Sequence, residues 1–152
     1  MTLRIRLHPD PILCRVADPV PEVDEATRAL IEDMMEAMYA AQGHGLAAPQ
    51  IGVLRRVFVM DVAWMTGPPA PVVFVNPRIL RISEITAVLG ERCLSLPDRP
   101  VKIRRFTAVQ VRWTGHRGTS HEAGFTGFEA ACIQHEIDHL DGVTTPDRVQ
   151  EG

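Results

Sequence analysis

The sequence predicts an α+β fold. Helical periodicity appears twice, once near each end of the chain, and short apolar runs broken by glycine and proline lie between. Strands that cluster between helices, rather than alternating with them, are the pattern of an α+β domain. The 152 residues suffice for one core, and no repeat, low-complexity tract or linker marks a second unit. Residues 1–152 are therefore expected to form a single domain.

Residues 1–23 hold Pro9, Pro11, Pro19 and Pro21, which favour extended segments wrapped over the surface. The first helix is predicted over residues 24–42. Asp24 is placed as its N-cap, and Leu30, Ile31, Met34, Met35 and Met38 form an apolar stripe. The methionines are read as core packing. Gly43 is placed as the C-cap. Strand-like runs follow at Arg56–Val62 and Pro71–Val75, the second ended by Asn76-Pro77, with a loop at Thr66–Ala70. Further strand pieces are expected at Ile79–Ile82, Thr86–Leu89, Glu91–Ser95, Val101–Arg105, Thr107–Trp113 and residues 119–125. The last helix is read from Thr126 and Glu129 as a capping box and from Phe128, Ala131, Cys132 and His135 at helical spacing. Gly142 and Pro146 end it.

Composition excludes several function classes. A net charge of −3 gives no electrostatic reason to expect nucleic acid or an anionic membrane surface. No apolar run approaches the roughly eighteen residues of a membrane span, and the N-terminus lacks a continuous apolar signal core. Three cysteines, Cys14, Cys93 and Cys132, are too few and too odd for a disulfide framework. The expected location is the cytoplasm, where a distinctive cysteine is a ligand or a nucleophile.

The last helix carries His135-Glu136-Ile137-Asp138-His139, an H-E-x-x-H motif. On a helix, residues four apart share a face, so two imidazoles can grip one metal ion while Glu136 reaches a water beside it. A third ligand is needed. One large protease class supplies a histidine six residues after the second, but Thr145 stands there and no suitable side chain follows. Cys132 lies on the same helix, one turn before His135, and cannot converge tetrahedrally with both imidazoles. Cys14 sits in the proline-rich segment and is expected to be a small buried apolar group. Cys93, at the end of a strand run, remains. Cys-His-His with an open fourth position is a catalytic arrangement. Upstream, Gly45, Ala47 and Ala48 are small enough to let another backbone approach closely, as a peptide would.

The three motifs Gly43-x-Gly45-x-Ala47-Ala48-x-Gln50, Glu91-x-Cys93-Leu94-Ser95 and His135-Glu136-x-x-His139, in this order, resemble those of the peptide deformylases, and the likeness covers nearly the whole chain. The resemblance implies mixed and antiparallel strands around a central metal-binding helix. It implies removal of the formyl group from N-formylmethionyl peptides of newly made proteins. Cys93, His135 and His139 would hold one divalent ion, Fe²⁺ in the cell, with Zn²⁺, Ni²⁺ or Co²⁺ able to take its place. Glu136 would be the general base, and the Gln50 amide and Leu94 backbone N–H would receive the oxyanion. The peptide would lie beside His44, Gly45 and Leu46, with Phe128, Ala131 and Cys132 walling the methionine pocket. Transient ribosome contact is also implied, although the short tail after His139 leaves no room for the C-terminal helix that some members use there.

Two departures stand out. Arg92 replaces the glycine that the family places before the metal cysteine, adding a long charged side chain near the mouth of the site, where it either points to solvent and changes nothing or narrows and recharges the entrance. The loop Pro97-Asp98-Arg99-Pro100 is shorter than usual. Glu91 is expected to pair with an arginine after that loop, and Arg104 is the candidate. Two further readings stay open at this point: a related amidase with altered substrate choice, and a homologue that binds without turnover.

Overall fold

In the computed structural model, Asp24 opens the first helix, α1 (Glu25–Ala40), by accepting the Thr27 N–H at 2.8 Å. The structure describes residues 4–149, so the ends of the first and last predicted segments, 1–3 and 150–152, lie outside it. Ile31, Met34 and Met38 of the predicted stripe are fully buried, and Leu30 and Met35 pack beside them. At the helix end the left-handed residue is Gln42 (φ 58°), not Gly43, whose N–H closes onto the Met38 carbonyl. Gly43 lies close to the groove side chains instead: a methyl group there would lie 2.6 Å from Leu94 Cδ1, which would have to shift.

Seven strands follow: β1 (Gly45–Ala47), β2 (Val57–Met60), β3 (Val72–Ile82), β4 (Thr86–Cys93), β5 (Leu96–Phe106), β6 (Ala108–Thr114) and β7 (Ser120–Thr126). They form a five-stranded sheet in the order β1-β2-β3-β6-β7 and a separate β4–β5 hairpin, with every strand pair antiparallel. The second helix, α2 (Gly127–Leu140), packs its Ala130, Ile133 and Leu140 against Phe58, Phe74 and Val111 of the large sheet. This places α2 between the two sheets, as an α+β fold around a central helix requires.

Four local expectations are corrected. Asn76-Pro77 does not end a strand. β3 runs on to Ile82 through a register shift after Val75, with Asn76 at φ 50°. The Asn76 amide accepts the Val20 N–H and donates to the Val20 carbonyl, which holds this irregularity in place. Thr126 makes no capping hydrogen bond, because it is still paired with Ala108 in β7 and the chain enters α2 through Gly127 at φ 58°. Cys14 is exposed, and its neighbour Leu13 is the buried residue. Residues 96–100 are not a loop but the first part of β5, since the chain reverses at Leu94 and Ser95 with Cys93 opposite Leu96. Among the described residues, no helix is long and apolar enough to cross a membrane.

Candidate metal centre

Cys93 is the last residue of β4, and His135 and His139 lie one turn apart on α2. Packing of the hairpin against α2 brings one thiol sulfur and two imidazole nitrogens within 4.8 Å of one another, all buried. Cys93 Sγ is 3.3 Å from His139 Nε2, and the two rings stand at 67° to each other. The neighbours of the set prepare it for a metal. His135 Nδ1 donates to Glu91 Oε1 at 2.8 Å, which fixes the orientation of the ring and leaves Nε2 as the atom to meet a metal. Burial, then the nearby His135 and Arg105, hold His139 well below the usual histidine range, so it is a neutral donor. Soft thiolate and imidazole donors in this arrangement fit a divalent transition-metal ion.

Glu91 is itself clamped. Arg105 reaches it through Nε at 2.7 Å and through a second nitrogen at 2.9 Å, and also donates to Asp138 Oδ2 at 2.7 Å. Burial alone would raise the Glu91 carboxyl, but hydrogen bonds and charge from Arg105 and His135 prevail and hold it at about 2. Arg148 completes the network on Asp138. The partner of Glu91 is therefore Arg105 and not Arg104. Strand parity decides this: Ile103 and Arg105 are buried, and Arg104 between them points outward and bonds Thr86 Oγ1.

Gln50 is buried in the short turn after β1. Its Oε1 accepts the Ala47 N–H at 2.9 Å, which aims Nε2 at Ser95 Oγ (3.1 Å) and at Cys93 Sγ (3.7 Å). Glu136 is also buried, with no partner for Oε1. Burial pushes its carboxyl up to about 7. Gly45 is the residue that admits this carboxylate, since a methyl group there would lie 2.6 Å from Glu136 Oε2 and 3.2 Å from Cys132 Sγ.

These groups open onto a groove of about 670 Å³. Of the residues expected to meet substrate, His44, Gly45, Arg92, Phe128, Ala131 and Cys132 line it, and His44 stands edge-on to Phe128. Leu46 does not. Its side chain is fully buried in the core with Ile31 and Met34. Met65, Leu89 and Pro97 join the lining. Trp64, which donates to the Gly43 carbonyl at 2.9 Å, braces the rim. None of these four had a motif to mark it, and Ser95, which lies within one, had been given no role.

A buried cysteine sulfur and two imidazoles, with an unpartnered carboxyl group beside them and an open groove in front, define a mononuclear metal-dependent hydrolase. Comparison with known proteins agrees. Residues 2–152 match the family model described as polypeptide deformylase. The chain is 48% identical over 139 residues to a peptide deformylase of Phenylobacterium zucineum, covering 91% of this chain and 82% of that one. The structure of peptide deformylase from Thermotoga maritima superposes with a TM-score of 0.93 at 43% identity, covering 99% of both chains. That of the Ehrlichia chaffeensis enzyme in complex with actinonin does so with a TM-score of 0.93 at 36% identity, covering 99% of this chain and 90% of that one. The chain belongs to the polypeptide deformylase family, whose members are metal-dependent hydrolases acting on peptides.

Proposed function

We propose that this enzyme releases formate from the N-formylmethionine that begins newly made polypeptides, working in the cytoplasm as a single catalytic domain on chains leaving the ribosome. The observation that carries the reading is the Glu136 carboxylate, buried and unpartnered at Oε1, beside the Cys93–His135–His139 set at the floor of an open groove. A purely structural metal site has no use for such a base.

The groove suits an extended peptide. β1 is an edge strand that pairs with β2 alone, and β4 pairs with β5 alone. Both bring residues to the groove, so a substrate strand could bond backbone to backbone with either. The methionine side chain then enters the apolar wall of Phe128, Ala131 and Cys132.

When bound, a divalent ion would polarise the formyl group and lower the pKa of water beside it. Cys93, His135 and His139 would hold it; we assign Fe²⁺ in the cell, with Zn²⁺, Ni²⁺ or Co²⁺ compatible with the same donors. Glu136 takes the proton of the attacking water and passes it to the amine nitrogen as the C–N bond breaks, yielding formate and a free amino terminus. A carboxyl near neutrality suits both transfers. Gln50 Nε2 and the Leu94 backbone N–H donate to the developing oxyanion. The test is formate release from a formyl-Met peptide by metal-loaded protein and by Glu136→Gln. Turnover by the first, and none by a metal-retaining Glu136→Gln, is expected. No formate from the metal-loaded wild type would overturn the reading.

A further inference from the structure

We propose that Arg92 gives this enzyme a preference for substrates with a carboxylate just beyond the formylmethionine; the inference rests on the deformylase reading above. Arg92 is exposed on β4 between buried Glu91 and Cys93, where pairing with β5 is irregular. Glu91 and Cys93 project to the metal side, so strand alternation sends Arg92 to the opposite face, at the rim of the same groove. Lys102, opposite Gly90, and Arg104, opposite Val88, stand on that face across the hairpin. Among the described residues, none of these three cations forms an ion pair. Arg92 thus puts a positive charge without an ion-pair partner among the described residues at the rim of the groove, with Lys102 and Arg104 on the same face of the hairpin.

A peptide laid along the free edge of β4 also alternates its side chains between faces. With the methionine turned inward to Ala131 and Cys132, the next side chain turns outward, to the face that Arg92 occupies. Neighbours on one face of adjacent strands have Cβ atoms about 5 Å apart, within reach of a guanidinium and a carboxylate. Aspartate or glutamate after methionine is attracted there, and lysine is repelled. In a very short peptide the C-terminal carboxylate offers the same chemistry.

The test compares kcat/KM for formyl-Met-Asp-Ser-amide, formyl-Met-Ala-Ser-amide, formyl-Met-Lys-Ser-amide and unblocked formyl-Met-Ala-Ser. Wild type, Arg92→Gly and Arg92→Glu are assayed at low and high salt. In wild type at low salt the aspartyl peptide should exceed the alanyl amide by about fivefold, the upper range for an exposed ion pair, and the lysyl peptide should fall below it. The ratio should collapse in Arg92→Gly, invert in Arg92→Glu and shrink with salt. A preference confined to the unblocked peptide and lost in Arg92→Gly assigns the same role to the terminal carboxylate. Equal ratios in wild type and Arg92→Gly, or an order that survives charge reversal, would overturn the proposal. Formate release from the neutral amide tests the parent reading separately, and its absence overturns both.

Discussion

Arg105→Ala should destabilise the fold by about 3–5 kcal/mol, whereas Arg104→Ala, one residue away, should change stability by less than about 0.5 kcal/mol. The difference follows from what each guanidinium touches. Arg105 is 5% exposed and makes two hydrogen bonds to Glu91 and one to Asp138, all charge-assisted. Its removal leaves Glu91 buried as an anion with only His135 to answer it. Asp138 keeps Arg148, so the loss stays near the range for one broken buried pair. Arg104 faces solvent and bonds one hydroxyl. For a chain of this length, 1 kcal/mol moves the midpoint by about 2–4 °C, so Arg105→Ala should melt on the order of 10 °C lower. Thermal unfolding of the metal-depleted proteins, with no binding free energy added, is the assay. Equal drops for the two variants, or an unchanged midpoint for Arg105→Ala, would refute the clamp.

The same clamp sets a pH dependence. Glu91 is held at about 2 against 4.5 in a free chain, so its contribution is complete above about 4.5 and fades as pH falls toward 2. Unfolding midpoints measured across that window should fall more steeply for wild type than for Glu91→Gln. Gly45→Ala should bind metal normally yet lose at least about tenfold in kcat, because its methyl group would press into the Glu136 carboxylate; wild-type turnover would contradict this. Gln50→Ala should lower kcat by about 10²- to 10³-fold, the loss typical of one oxyanion donor, with metal content unchanged.

The residues of the candidate metal centre were legible in the sequence because helical spacing and a failed search downstream left few choices. The groove was legible in part. Gly45 and the α2 wall lay in or beside motifs, but Met65, Leu89 and Pro97 reach the groove only through the packing of separate elements. The inward side chain of Leu46 was not legible, because a three-residue strand shows too little alternation to tell its buried side from its groove side. The Arg104 error was avoidable, since Val101, Ile103 and Arg105 share one strand face and Arg104 does not. The bulge at Asn76 was not readable, because its cause is a long-range bond to Val20. The entry into α2 followed β7 pairing rather than a local cap, and so ran against the sequence signal.

The most direct test of the centre itself is absorption spectroscopy of Co²⁺-loaded protein. A thiolate-to-cobalt charge-transfer band should be present in wild type and in Cys132→Ser, and absent in Cys93→Ser. A band that survives Cys93→Ser, or vanishes in Cys132→Ser alone, would contradict the assignment of Cys93, His135 and His139 as the metal ligands.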